Sequence, residues 1–127
     1  KIDYTKIPFN SDEERTVGYA LGTADLLGQM SANDYPEKLP VLYREFEEAY
    51  LYEGIEKLRK RKAIVYESAD DLIRKTPHFD EVIVLERLKN MGSMSKLLTY
   101  HFKDSRNHYI EAIEENIRKI KLASSPQ

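Results

Sequence analysis

The chain has 127 residues, which suits one domain with a modest core or part of a larger domain. Its net charge of −2 at pH 7 gives no reason to expect a nucleic acid or an anionic membrane as a partner. It contains no cysteine, which excludes disulfides, thiol catalysis and zinc–thiolate sites. No signal peptide is visible and no apolar run approaches the roughly 20 residues of a membrane span, so we expect a cytoplasmic protein.

Helix signals recur along the whole chain and strand periodicity is nearly absent, so the sequence predicts an all-α helical bundle. Residues 1–10 are expected to be extended, because Pro8 opposes helix formation. Ser11 and Glu14 form a capping box, in which the hydroxyl accepts an early backbone N–H and the carboxylate reaches back. The first helix is predicted to run from there to about Ser31.

A turn at residues 33–36 separates this helix from a second one. The second helix is predicted to start near Pro36 or Pro40, because proline is tolerated in a first helical turn. It continues to roughly Gly54, and residues 55–66 are expected to begin as a continuation of it.

Two further helices are predicted downstream of this region. Ser68 together with Asp71 caps a short helix. Thr76 and Pro77 are interpreted as the N-cap and first residue of the next helix, which stops at residues 90–92.

Within the first helix, Asp25 is the leading candidate for a functional residue. At about 100° per residue, one apolar stripe is matched by a second apolar side opposite it, so the helix is expected to be deeply buried. The two sides are Val17, Ala20, Leu21, Ala24 and Leu27, and Tyr19, Leu26 and Met30. Three glycines beside Asp25 suggest that something approaches the backbone closely there: Gly18, Gly22 and Gly28. A buried carboxylate must be satisfied by a neighbouring arginine or helix N-terminus, or belong to a metal or catalytic site.

The residues around Asp25 resemble a known family. The run Gly22-Thr-Ala-Asp-Leu-Leu-Gly-Gln-Met30, continuing through residues 34–39 and 42–46, is similar to the end of the HD domain, a metal-dependent phosphohydrolase domain, in a bacterial branch of its superfamily. Residues 68–77 and 109–117 resemble the C-terminal extension of the same branch. The resemblance implies a single helical domain or fragment, with residues 1–54 as the end of an HD-like core and 55–127 as a helical extension.

The family signature is an early His, a His-Asp dipeptide and a distant Asp that together bind one or two divalent cations. Asp25 matches only the last Asp, and would by resemblance be both metal ligand and catalytic residue. His78, His101 and His108 are followed by Phe, Phe and Tyr, so none of them matches the dipeptide. The resemblance thus implies the downstream piece of a hydrolase acting on a phosphate ester such as a nucleotide, with no cofactor bound by the piece alone.

An alternative remains open for the function of the chain. It is a non-catalytic helical interaction or oligomerisation module, in which Asp25 is a structural hydrogen-bonding residue. In either case we expect homo-oligomerisation to hide apolar surface that the chain leaves uncovered.

The last segment, residues 95–122, is predicted to be helical with a possible break around 103–106. If the helix is unbroken, His101, Asp104 and His108 share one face, which Glu111 and Glu115 extend. Histidines seven residues apart lie about 10 Å apart along a helix, too far for a single ion. A solvated polar face is therefore favoured over a metal site.

Two other groups of residues are interpreted in the same way. The basic run at residues 57–62 is predicted to be a solvated helix surface rather than an anion site, because glutamates surround it. Four tyrosines are predicted to be packing residues with solvated hydroxyls rather than a stacking platform: Tyr43, Tyr50, Tyr52 and Tyr66.

Overall fold

The computed structural model describes residues 3–103 and 105–125, and within these ranges all regular structure is helical. The predicted all-α fold is confirmed. The described residues form seven α-helices: α1 (Asp12–Met30), α2 (Tyr35–Glu53), α3 (Ile55–Lys60), α4 (Ala69–His78), α5 (Leu85–Asn90), α6 (Leu98–Phe102) and α7 (His108–Ser124). Single 3-10 turns lie at Tyr4–Lys6 and Met94–Leu97, and a π-helical segment at Phe79–Val84 joins α4 to α5.

The start of α1 follows from the capping box in the sequence. The Ser11 hydroxyl accepts the Glu14 backbone N–H at 3.1 Å. The Glu14 carboxylate reaches back to the Asn10 N–H at 2.7 Å, one residue beyond the usual partner. The helix then runs to Met30, as predicted.

Helix α2 begins at Tyr35 and keeps both of its prolines. Pro36 lies in the first turn, and Pro40 is inside the helix, where it contributes no backbone donor. Gly54 ends the helix with a φ of 93°, a conformation that favours glycine, and α3 continues directly after it. The predicted bounds of the second helix and its helical continuation are confirmed.

Helix α4 begins where the sequence predicts, but the predicted new helix at Thr76 and Pro77 is wrong. The Ser68 hydroxyl accepts the Asp71 N–H at 3.1 Å and caps the helix. The backbone then stays helical from Ala69 to Asn90, with Pro77 buried inside it. The Thr76 hydroxyl donates to the Leu72 carbonyl at 2.8 Å instead of capping a new helix. Since Pro77 has no N–H to bond the preceding turn, the helix widens into the π-helical segment after it.

The chain reverses twice before the last helix. Gly92, with a φ of 78°, follows the end of α5, as the sequence predicts. A second reversal occurs at Lys103, with a φ of 57°, and confirms the predicted break. Asn107 then caps α7 by accepting the Ile110 N–H at 3.3 Å, and its amide donates to the Ser95 carbonyl at 2.6 Å.

The core lies where α4 and α7 meet α1 and α2. It is built from aliphatic side chains, two methionines and one tyrosine: Leu27, Met30, Leu39, Tyr66, Leu72, Val84, Leu88, Met91, Ile113, Ile117 and Ile120. The buried Asn116 amide donates to the carbonyls of Met30 and Ala32, both at 2.8 Å, and so joins α7 to the end of α1. In the described part of the chain, no helix combines the length and apolar character that crossing a membrane requires.

Candidate functional site on the outer face of α1

Asp25 lies on the exposed side of α1 rather than in the core. The helix buries one side, represented by Thr23, Leu27 and Met30, each 4% exposed or less. On the opposite side, Val17 is 68% exposed and Leu21 is 70% exposed. The prediction of a helix buried on nearly all sides is therefore wrong: of the first predicted apolar side only Leu27 is buried, and Val17, Ala20, Leu21 and Ala24 are exposed.

We call the uncovered side the outer face of α1, consisting of Val17, Ala20, Leu21, Ala24, Asp25 and Gly28, all of them exposed. Positions 17, 21, 24 and 28 fall within about 60° of one another around the helix axis. Asp25 projects about 40° from Leu21, at the edge of this stripe. A carboxylate thus borders an apolar strip that no described helix covers.

The Asp25 carboxylate has one hydrogen bond within the described structure. Its Oδ1 accepts from the Gln29 side-chain amide at 3.2 Å, one helical turn further along. Gln29 is itself exposed, so both groups remain open to water. The carboxylate therefore has acceptor capacity left for a further donor or a cation.

The three glycines of α1 have different neighbours. A Cβ on Gly18 would lie 2.9 Å from the Phe9 ring, and one on Gly22 would lie 2.6 Å from the Met91 sulfur. These two glycines are explained by close packing within the chain itself. A Cβ on Gly28 would meet nothing within 4 Å. Gly28 therefore weakens α1 without any packing reason inside the described structure.

The outer face continues at Gly28 into a groove between α1 and α2. This groove encloses about 520 Å³, and Gln29, Leu42 and the 53%-exposed Val41 are among its lining residues. Tyr35 also lines the groove. Its hydroxyl has a pKa raised to about 12, mainly because it is buried and then because of the negative charge of Asp80. Apolar surface thus extends from α1 onto α2.

The other candidate ligands lie far along the chain from this face. His101 and His108 are exposed, and both of their rings pack against the ring of Phe102. Their centroids lie 5.0 and 4.5 Å, respectively, from the Phe102 centroid. The reversal at Lys103 separates them, so the single continuous histidine face does not form. Asp104, the third member of that predicted face, lies outside the described residues.

Across residues 3–103 and 105–125, no three His, Asp or Glu side chains come together in an arrangement that would hold a metal ion. Protein metal sites for divalent cations draw on several ligands at once. Asp25 supplies one carboxylate, and its hydrogen-bonding neighbour is an amide. The described residues by themselves therefore do not fit the divalent cation that the family resemblance implies.

Among the residues that the structure describes, the buried carboxylate is that of Asp71, which the sequence predicted only as a helix cap. Asp71 is 7% exposed and accepts from the Lys75 ammonium at 2.7 Å, the Arg74 guanidinium at 2.5 Å and the Glu67 N–H at 3.2 Å. The hydrogen bond from Lys75, then that from the Glu67 backbone, lowers the pKa of this carboxyl. Cations three and four residues downstream were the sequence signal for this site.

Two tyrosine hydroxyls predicted to be solvated instead bond the chain segment before α4. The Tyr43 hydroxyl donates to the Glu67 carbonyl at 2.9 Å, and the Tyr50 oxygen accepts from the N–H groups of Val65 and Tyr66 at 3.3 Å. Tyr66 packs in the core, while Tyr52 is 93% exposed. The packing role predicted for Tyr66 is confirmed and that predicted for Tyr52 is wrong, while the hydroxyls of Tyr43 and Tyr50 bond the backbone.

No family model, curated protein or solved structure matches this chain. The outer face of α1, with Asp25 at its edge, is the candidate functional site.

Proposed function

We propose that the outer face of α1 is covered by a further helical segment, and that Asp25 then becomes a metal ligand in a phosphohydrolase of the HD superfamily. That segment would carry the His and the His-Asp pair that the family resemblance implies. The observation that supports this is the position of Asp25 at the edge of an exposed apolar stripe. Gly28, with open space where a side chain would lie, leaves room for a close approach.

The energetics of covering this face favour a docked segment. Fully burying a side chain such as Val17 or Leu21 contributes about 1.5–3 kcal/mol. Both now expose more than two thirds of their surface, so most of that gain is still available. A covering helix would therefore be held mainly by apolar contacts along residues 17–28.

Covering the face would also increase the number of hydrogen-bonding or cationic partners that the Asp25 carboxylate needs. Its carboxylate would lose water on one side while keeping only the Gln29 amide as a partner. A carboxylate in that position needs cationic partners or several donors, since desolvating it otherwise costs several kcal/mol. Ligands that the docked segment brings to the same edge would meet this need.

The proposed reaction is hydrolysis of a phosphate ester, such as a nucleotide. A bound divalent cation would supply Lewis acidity and an activated water in such an enzyme. The contribution of this chain is the anionic Asp25 oxygen, which is carried by α1 and hydrogen-bonded to Gln29.

The decisive experiment uses a longer protein, here called the parent protein, that contains both this chain and the covering segment that the proposal requires. Turnover of p-nitrophenyl phosphate and of nucleoside monophosphates with manganese is measured for the parent protein and for its Asp25→Asn variant. We expect turnover and metal content to fall on the order of 100-fold in the variant, with an unchanged melting temperature. Asp70→Asn, an exposed aspartate on α4, is the matched control and should have no effect.

For the 127-residue chain alone we expect no tight binding of manganese or nickel in a calorimetric titration. One carboxylate cannot replace the hydration shell of a divalent cation. A micromolar site that disappears in Asp25→Ala would mean that the chain already holds a complete metal site. This would contradict the proposal that the other metal ligands come from the docked segment.

The second candidate function is a non-catalytic interaction or oligomerisation module. The same observation favours it, because two copies of the outer face can cover one another without any ligand at Asp25. Leu21→Glu should then abolish self-association in sedimentation experiments, while Asp25→Asn leaves association intact. In the full parent, unchanged metal content and turnover in Asp25→Asn would favour this candidate over the enzyme.

A further inference from the structure

A second apolar groove lies between the π-helical segment with α5 on one side and α7 on the other. It encloses about 390 Å³. Its floor is formed by four buried aliphatic side chains: Val84, Leu88, Ile113 and Ile117. The volume falls within the range of roughly 300–1,000 Å³ that is typical of small-molecule sites.

Charged groups line the mouth of this groove, and its two cations are already paired. The Lys121 ammonium lies 2.5 Å from a Glu81 oxygen, and the Arg118 guanidinium lies 2.7 Å from a Glu115 oxygen. Two other carboxylates at the mouth, Asp80 and Glu114, make no hydrogen bond or ion pair with any described residue. The mouth of the groove therefore carries unmatched negative charge.

Asp80 is the more constrained of these two carboxylates. Its residue is partly buried, at the π-helical segment where the Asp80 carbonyl accepts the Leu85 N–H five residues on. Burial, and then the negative charge of Glu81, raises the pKa of this carboxyl, while Lys121 opposes the shift. Helical widening of this type occurs frequently at functional sites. Asp80 thus lies over apolar surface without an ion pair of its own, since the Lys121 ammonium that acts on it electrostatically is paired with Glu81.

We propose that this groove binds a small organic cation, a protonated amine carried on an apolar body. The ammonium group lies against Asp80 and Glu114, and the apolar body covers the floor formed by Val84, Leu88, Ile113 and Ile117. Charge complementarity selects a cation over an anion or a neutral molecule, since the free charges of the groove are both negative. The apolar floor selects an organic cation over a metal ion, because divalent cations need several oxygen ligands and no such set converges among the described residues.

The test uses the complete chain with two probes of the same shape, phenethylammonium and the neutral 2-phenylethanol. Binding is followed through the methyl signals of Ile113 and Ile117 in ¹H–¹³C spectra. We expect saturable shifts with phenethylammonium, and an affinity at least roughly 10-fold weaker for the alcohol. Equal affinities, or shifts absent up to the solubility of the amine, would overturn the proposal.

Three variants test whether the Asp80 and Glu114 carboxylates bind the cation. Asp80→Asn should weaken phenethylammonium binding by roughly 10-fold, and Glu114→Gln should weaken it by less. Asp70→Asn, on the exposed start of α4, should leave binding unchanged. Because Glu114 is exposed, its variant should fold normally and keeps the test valid even if Asp80→Asn unfolds. Unchanged affinity in every groove variant that folds would contradict the proposal, and this outcome does not depend on the outer face of α1.

Discussion

Asp25 on α1 and Asp71 on α4 both lie in helices beside apolar residues, yet one is exposed and the other buried. Asp71 is followed by Arg74 and Lys75, which reach it from three and four residues downstream. Asp25 has Gln29 at the corresponding position, which supplies one neutral amide. Asp71 is buried where its own helix provides two cations, whereas Asp25 has no such cation among the described residues and stays exposed.

The same contrast holds for the two sides of α1. The inner side packs in the core, whereas Val17 and Leu21 on the outer face have no described element against them. Matched substitutions on the two sides measure how far this difference in packing governs stability.

The largest expected effect comes from truncating one leucine on each side of α1. Leu27→Ala removes a side chain that is 3% exposed and should cost about 2–5 kcal/mol in urea denaturation. Leu21→Ala removes one that is 70% exposed and should cost less than about 0.5 kcal/mol at concentrations where the chain is monomeric. Equal losses would mean that the outer face is covered in solution.

A slightly smaller loss is expected at the polar contact between α7 and α1. Asn116→Ala leaves the carbonyls of Met30 and Ala32 without their 2.8 Å partners, at about 1–3 kcal/mol for each buried group left unsatisfied. We expect about 2–3 kcal/mol in total, because water can reach the half-buried Ala32. Asn33→Ala, an exposed residue in the same turn, is the control and should change the melting temperature little.

The two aspartates should differ in how their stability contribution depends on pH. Because the folded-state pKa of Asp71 lies below its ordinary value of 3.8, its contribution is fully present above that value and disappears as pH falls through the lowered pKa. Asp71→Asn should therefore lower the melting temperature on the order of 5 °C at pH 7. The difference should vanish in strong acid, whereas Asp25→Asn should leave the melting temperature unchanged at pH 7. A persistent loss in acid would show that the Asp71 charge is not what stabilises the fold.

The smallest effect concerns the glycines and has the opposite sign. Gly28→Ala should stabilise the isolated chain by about 0.5–1 kcal/mol, because the added methyl group meets nothing within 4 Å. Gly22→Ala should gain less or lose stability, since the Met91 sulfur would have to move. If a segment docks closely on the outer face, Gly28→Ala should weaken that docking while strengthening the chain itself. Unimpaired docking would mean that the segment keeps its distance from α1.

Features that depend on local hydrogen bonds were predictable from the sequence. The caps at Ser11 and Ser68 and the stop at Gly92 involve atoms a few residues apart, so the sequence contains all the participants. The Thr76 and Pro77 pair was misread because a proline inside a helix looks locally like a proline that starts one. Only packing in the core decides between the two, and both residues are buried there.

The candidate site was predictable only in part, because the sequence shows which residues share a helix face but not what packs against that face. Apolar periodicity predicted two apolar sides on α1 and the structure buries one of them, because periodicity does not say which side has a partner. The glycines illustrate the same limit, since Phe9 and Met91 explain Gly18 and Gly22, and nothing in the sequence pattern separates these from Gly28. Metal binding by Asp25 stays a prediction.

The hydrogen bonds from Asn116 also impose an order on folding during synthesis. Asn116 is 86 residues away from Met30 along the chain, so the ribosome makes α1 and α2 long before it makes the amide that satisfies the end of α1. Until then the Met30 carbonyl and the Leu27 side chain have no α7 to cover them. Nascent chains that end before residue 116 should therefore expose apolar surface on the inner side of α1 as well as on its outer face.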